Sequence, residues 1–490
     1  MEYSMPEKHG IKSEWIKEYI EVLENANLAT HNLIIMRNDR ILFEHYWNPF
    51  NKDFLHRMYS VTKSFVALAI GFLEQDGKIS LDDPIVKYFP EELKDNHDEN
   101  VRNQTIRQML MMATAKECWG WFQARPDDRV EHYFKNNKTS RPAGTIFSYD
   151  SSGSFVLCAL VERITGKSFM EYSREKYLDK IGFSKEAYML KCPGGHSWGD
   201  SALICTPIDL LKAAMFCMHK GKWNGEQLLN EEFITAATGK QIANDELGTD
   251  DCNKQGYGYQ FWRTYDNSYF FNGAGSQYAI CVPDKNIIMV YNGNNMDKSE
   301  ARKIILDNFF NMIVRRTEDF AFEDSGYDSL CEYVKSLKLL SAKGKSTAEI
   351  ANKINGVTYK MDENPMGITR MKLTFNGKKG ILSYTNEQGD KEIPFGMCEN
   401  EFSFFPQKGY SDEVGGQPGN RLYKCATSAA WKSDYQLYIK VQINDTYFGV
   451  LNITIGFVDN KIGVYMISAA EDFLTEYYGF AGGVAETYSM

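Results

Sequence analysis

The sequence predicts an α+β unit followed by an all-β unit, and three observations carry that reading. Strand-like patterning near the start of the chain returns only after residue 256, with helical spacing between. Residues 318–329, TEDFAFEDSGYD, make an acidic, irregular break. From Gly356 onward the chain is a run of short alternating segments separated by turn residues. These divide the chain into 1–318, a linker with short helices over 319–355, and a β domain over 356–490.

Residues 13–28 place Trp15, Ile16, Tyr19, Ile20 and Leu23 on one side of a helix. Residues 32–47, NLIIMRNDRILFEHYW, read as a hairpin turning at Asn38-Asp39, which starts an antiparallel sheet. A helix follows Ser60 and ends near Gly77, and apolar residues nearly all round it predict burial on every side. Helical spacing recurs at 104–112, 152–165 and 207–220, and strand alternation at 257–264, 268–272, 276–282 and 286–292. A helix over 299–315 closes the unit. Strands at both ends imply one shared sheet, with a cleft between it and the helical insertion. Beyond the acidic break come helical patterns at 329–340 and 346–353. The strands TRMKLTFN, KGILSYTN, QLYIKVQI, TYFGVLNITIGF and KIGVYMIS then suggest a barrel or sandwich.

At 490 residues the chain exceeds one ordinary core. Its 43% hydrophobic and 24% charged residues are the balance of a soluble globular enzyme. A net charge of −10 argues against nucleic acid or an anionic membrane as partner. No stretch has the ~18 apolar residues of a membrane span, and MEYSMPEKHGIKSEW lacks a hydrophobic signal core, so a cytoplasmic protein is expected. Ten scattered cysteines, several in apolar runs such as those of Cys158 and Cys281, fit a reducing compartment. Eight histidines show no ligand spacing, so neither a metal nor another cofactor is expected.

Residues 58–64, MYSVTKS, set Ser60 and Lys63 one turn apart at the start of the buried helix. A neutral lysine there can take the serine proton, which makes a nucleophile without histidine. The positive end of the helix dipole disfavours a second positive charge and so favours that neutral form. The Ser60 N–H, unpaired within the helix, can bind an oxyanion. A capping serine and a solvated lysine would give the same tetrapeptide.

The longer stretch YSVTKSFVALAIGFLEQDGKISLDDPIVKYFPE resembles the serine β-lactamase-related family. That family includes class C β-lactamases, D-alanyl-D-alanine peptidases, esterases and 6-aminohexanoate-dimer hydrolases. Three further blocks, at 141–169, 202–229 and 257–291, fall in the family's order, and the likeness covers about residues 10–315. The resemblance implies the β-lactamase-like fold, an antiparallel sheet flanked by helices with a helical insertion, and weakly an appended β-barrel domain. It implies Tyr149 as the residue that relays a proton to the leaving group. Ser151 stands where the family often has asparagine, as a substrate contact or as a turn or N-cap residue. On the last catalytic strand, Phe271-Asn272-Gly273-Ala274-Gly275 replaces a cation-bearing motif, and the resemblance assigns the Ala274 N–H as second oxyanion donor. GAGSQY is no dinucleotide loop, because the third glycine is missing and a strand follows. Trp119, Trp121 and Trp262, with Asn272, are candidates for lining the cleft, as is His196.

These observations predict a serine hydrolase that forms an acyl-enzyme on a small ester or amide. Two alternatives stand beside it: a D-amino-acid peptidase or β-lactamase of the same fold, and a binding protein that kept the fold without the chemistry.

Overall fold

The computed structural model describes residues 1–490 apart from 95–97, 118, 119, 123, 125, 137, 138, 193, 246–249, 324, 325, 409–420, 472 and 487–490. The chain divides into two compact units. One comprises residues 1–293 and 300–338; the other comprises 294–299 and, among the described residues, those from 339 onward.

In the first unit, helix α1 (Ser13–Asn25) buries Ile16, Tyr19, Ile20 and Leu23, the side its spacing marked. Strands β1 (Thr30–Arg37) and β2 (Arg40–Tyr46) pair antiparallel. Their turn residues Asn38 and Asp39 have φ of 50° and 60°, the left-handed pair that matches the twist of a two-residue hairpin. Helix α2 (Val61–Gln75) buries every residue from Val61 to Leu73, and Gly77 follows its end at φ 68°. Helix α3 (Ser151–Thr165) and helix α4 (Pro207–Met218) belong to the central stretch. Strands β3 (Tyr269–Gly273), β4 (Gln277–Val282) and β5 (Ile287–Gly293) return to the sheet, and helix α5 (Ala301–Met312) ends the regular part.

The sheet runs β2-β1-β5-β4-β3, with Glu2–Tyr3 beside β2 and Trp262–Arg263 beside β3 as two-residue edges. The first and last long strands of the unit therefore meet, β1 against β5, as the sequence pattern implied. One sheet face packs on α1 and α5 through Leu33, Ile35, Ile280, Met289, Ile305 and Phe309. The other carries α2 and α4, with Phe65 of α2 at 6.2 Å from the Phe271 ring. The strand expected over 257–264 shrinks to Trp262–Arg263. There Gly258 lies so close to the Ala237 carbonyl that a Cβ would sit 2.0 Å from it, and Gln260 has φ 63°; the backbone turns away from pairing. The stretch expected as a linker is divided. Up to Lys338 it clusters with the first unit, where the Glu318 and Phe322 N–H groups donate to Gly10 and Glu7 carbonyls.

The second unit is a closed antiparallel barrel with one parallel seam. Its strands are β6 (Thr358–Met361), β7 (Arg370–Asn376), β8 (Lys379–Asn386), β9 (Gly389–Met397), β10 (Glu401–Phe404), β11 (Lys424–Trp431), β12 (Gln436–Asn444), β13 (Phe448–Val458), β14 (Lys461–Ala470) and β15 (Gly479–Ala485). The order is β9-β8-β7-β6-β15-β14-β13-β12-β11, closed by parallel pairing of β9 with β11, while β10 lies along β11. Its interior holds packed rings: Phe375 lies 5.9 Å from Phe395 and 6.0 Å from Trp431, which lies 6.4 Å from Phe457. Residues 294–299 are part of this unit. The Asn294 amide donates to the Ile443 carbonyl at 2.9 Å, and Asp297 accepts from the Lys440 ammonium at 2.7 Å and from the Asn452 amide at 3.1 Å. Among the described residues no helix is long and apolar enough to cross a membrane.

Candidate active site

Ser60 opens α2 without capping it, since its hydroxyl makes no cap hydrogen bond. The Lys63 ammonium lies 3.0 Å from Ser60 Oγ. Lys63 is 1% exposed, so it is neither a solvated first-turn lysine nor one that snorkels. Its other partner is the Asp200 carbonyl at 2.6 Å, and its Nζ lies 5.1 Å from the Tyr149 ring centroid. The Ser60–Lys63 pair and Tyr149, far from it in sequence, thus share one place.

The elements behind them explain why. Residues just before Ser60 are strapped to the segment that carries Asp200. Met58 N–H donates to the Leu203 carbonyl at 2.8 Å, and Leu203 N–H donates to Thr62 Oγ1 at 3.0 Å. The Arg57 guanidinium, fully buried, donates to the Ser201 carbonyl at 3.0 Å and covers the Tyr59 ring at 4.6 Å. Tyr59 has φ 47°, a left-handed conformation that an aromatic residue adopts only at a cost of order 1–3 kcal/mol. The strain sits one residue before Ser60 and turns the chain sharply into α2.

Tyr149 stands in an irregular segment just before Asp150, the N-cap of α3, whose carboxylate accepts from Gly153 N–H at 3.0 Å. Asp150, rather than Ser151, therefore caps this helix. Ser151 is its first residue and is 4% exposed. Near Asp150 the Lys116 side chain is buried, its ammonium donating to the Tyr133 carbonyl and 4.3 Å from the Tyr133 ring. Burial pushes the Lys116 pKa down to about 8 against the opposite pull of Asp150 and Asp98. Gln260 ties three segments together: its carbonyl accepts from Ser64 Oγ at 2.7 Å, its Oε1 from Ser154 Oγ at 2.6 Å, and its amide donates to the Leu110 carbonyl at 2.9 Å.

On the sheet side, β3 ends at Gly273. A Cβ there would lie 2.3 Å from the Met58 carbonyl, so the strand end touches the chain two residues before Ser60. Ala274 follows it and is exposed, and Asn272 is half-buried one residue earlier. Residues 270–276 carry no cationic side chain. The Trp262 ring lies 5.5 Å from the Tyr149 ring and packs on Phe147 and Tyr257, which makes an aromatic wall beside the tyrosine. Trp121 is buried and its indole donates to Asp200 Oδ2 at 2.8 Å, so it stands behind the lysine's carbonyl partner. Trp119 lies outside the described residues. His196 is held 3.2 Å from Glu162, whose hydrogen bond raises the imidazole pKa despite burial. Among the described residues no cluster of three or more His, Cys, Asp or Glu could hold a metal.

Asp200 and Gln260 were invisible to sequence reasoning. Asp200 serves through its backbone carbonyl, which leaves no mark on residue type. Gln260 acts from a non-repetitive turn.

A beta-lactamase family model matches residues 17–308. A 6-aminohexanoate-dimer hydrolase of Paenarthrobacter ureafaciens is 23% identical over 264 residues, spanning 50% of this chain and 67% of the relative. A solved structure from Bacillus anthracis, described as a 6-aminohexanoate-dimer hydrolase, superposes with a TM-score of 0.53 at 21% identity, over 60% of this chain and 80% of that one. SurE superposes with a TM-score of 0.50 at 15% identity over 91% of this chain and 94% of its own, a likeness of fold.

Proposed function

The chain belongs to the beta-lactamase family, and from that premise we propose that it is a serine hydrolase working through an acyl-enzyme. The observation that carries the reading is the buried Lys63 Nζ placed 3.0 Å from Ser60 Oγ and 2.6 Å from the Asp200 carbonyl. A neutral amine keeps one N–H on that carbonyl and turns its lone pair toward the serine hydroxyl.

Lys63 takes the Ser60 proton as Oγ attacks the substrate carbonyl carbon. The oxyanion that forms is held by the Ser60 and Ala274 N–H groups. As the tetrahedral species collapses, the bond to the leaving group breaks. Tyr149 gives its phenolic proton to that group and recovers one from the Lys63 ammonium. Water then attacks the acyl carbon, its proton passes back to the Lys63–Tyr149 pair, and the carboxylic acid leaves with Ser60 restored. The substrate is a small ester or amide without an obligatory carboxylate beside the scissile bond, because residues 270–276 offer no cation to receive one. Linear amides stay within this class, as one relative is named for hydrolysing the 6-aminohexanoate dimer.

The test is labelling with a fluorophosphonate probe and location of the adduct by peptide mass spectrometry. The reading expects a single adduct on Ser60 that disappears in Ser60→Ala while the circular dichroism spectrum is kept. Undiminished labelling, or an adduct on another serine, overturns it.

A further inference from the structure

We propose that Gln277 and Asn292 are positioning residues that restrain Ala274 through its carbonyl and so keep its N–H, one peptide unit earlier, in register with Ser60; the oxyanion site is then set by a buried amide clamp. The proposal rests on the acyl-enzyme reading above. Both side chains are fully buried at the end of the sheet nearest Ser60. The Gln277 amide donates one N–H to the Gly293 carbonyl at 2.7 Å and the other to the Ala274 carbonyl at 3.3 Å. Its Oε1 accepts from Asn292 Nδ2 at 2.9 Å. One side chain thus reaches from the root of β4 to the tip of its own hairpin and to the irregular end of β5, where the pairing with β1 shifts register between Asn292 and Gly293.

The hairpin tip needs such a restraint. Ala274 is exposed, and the residues after it, Gly275 and Ser276, take φ of 69° and 74°. A three-residue loop of this kind has several accessible geometries, and an N–H that must point at a developing charge works only in one. Gly273 limits the tip from one side by its contact with the Met58 backbone, and the Gln277 amide limits it from behind. If Gln277 served only to satisfy buried backbone, the Gly293 carbonyl would be enough. The second N–H, spent on Ala274, is what links the clamp to the reacting centre.

The variant is Gln277→Met, which keeps length and apolar bulk but donates nothing. The readout is turnover of a short-chain p-nitrophenyl ester and of its thiono analogue, in which sulfur replaces the carbonyl oxygen and gains little from the oxyanion donors. The expected result is a fall in kcat for the oxygen ester of about tenfold or more with KM little changed, smaller than the ~10²–10³ of deleting a donor outright. The oxygen-to-thiono rate ratio falls by the same factor. Parent kcat, or an equal loss on both esters, assigns Gln277 to structure alone and overturns the proposal. Should Gln277→Met not fold, Asn292→Asp tests the same clamp. It removes the donor to Gln277 Oε1 and sets an acceptor against it, and an unchanged ratio overturns the proposal. Labelling of the parent at a serine other than Ser60 sinks the underlying mechanism instead, an outcome distinct from an unmoved ratio.

Discussion

Gly273→Ala tests whether the end of β3 is the second half of the oxyanion site. The added Cβ would lie 2.3 Å from the Met58 carbonyl oxygen and 3.0 Å from Gln277 Cβ. An ordinary C···O contact is about 3.3–3.6 Å, so the two segments must separate by about 1 Å. Met58 yields poorly, because its N–H is bound to the Leu203 carbonyl at 2.8 Å and Ser60 follows two residues later. Separation therefore moves the Ser60 and Ala274 N–H groups apart. A misplacement of ~1 Å costs up to ~10²-fold in rate, about 2.7 kcal/mol of barrier. Overpacking adds about 1–3 kcal/mol of destabilisation. The assay is kcat/KM on a short-chain p-nitrophenyl ester, normalised by fluorophosphonate titration of active protein, with the thermal midpoint measured alongside. The expected outcome is a rate loss near 10²-fold, carried by kcat, with a lowered midpoint. A variant with parental midpoint and parental kcat/KM refutes the placement of Gly273 beside the nucleophile.

A chromogenic cephalosporin should be a poorer substrate than the ester. A missing charge-assisted hydrogen bond to its carboxylate costs roughly 1.5–3 kcal/mol, about one to two decades in kcat/KM, and a cephalosporin preference would contradict the neutral-substrate reading. His31 and His56, buried and 3.2 Å apart, are held well below the usual imidazole value and at about 3 respectively, chiefly by burial. The unfolded chain takes up these protons near pH 6.5 and the folded one refuses them, so their contribution to stability is whole above that pH. It is lost as the pH falls toward the folded values, at up to ~1.4 kcal/mol per unit per histidine. Urea unfolding between pH 7 and 5 should show a shallower slope in His31→Phe than in the parent, and identical slopes would contradict this. Asp297→Ala leaves the Lys440 ammonium buried without its partner and should destabilise the barrel by about 3–5 kcal/mol. Much of that returns in Asp297→Ala with Lys440→Met, and a neutral single variant would contradict the burial of the pair.

What was legible in the sequence was whatever repeats with a period or depends on residue type. The buried all-apolar face of α2, the Asn38-Asp39 turn and the strands of the barrel follow from spacing and turn chemistry. Ser60 and Lys63 stand out by residue type and spacing and Tyr149 by the family resemblance, and the fold sets the Lys63 amine 3.0 Å from Ser60 Oγ and 5.1 Å from the Tyr149 ring. What stayed hidden acts through backbone or through contacts distant in sequence. The Asp200 carbonyl has no residue signature. Residues 257–261 alternate like a strand, yet close backbone approach at Gly258 and the left-handed Gln260 override the pattern. Sequence pattern offered only Ser151 as a cap of α3, and it is the Asp150 carboxylate that takes the role.

The six residues 294–299 leave the sheet of one unit and count among the parts of the other. That has a consequence for biosynthesis. The Asn294 amide and the Asp297 carboxylate emerge from the ribosome long before the strands that receive them, β12 and β13, and before β15, which must pair with β6 to close the ring. At ~5–20 residues per second, the nearly two hundred residues that follow take about 10–40 s to make. Through that interval an aspartate later sealed against Lys440 remains in water. The barrel is therefore not a module that a single cut near residue 338 could release or graft whole, since such a piece would carry Lys440 without the carboxylate that neutralises it.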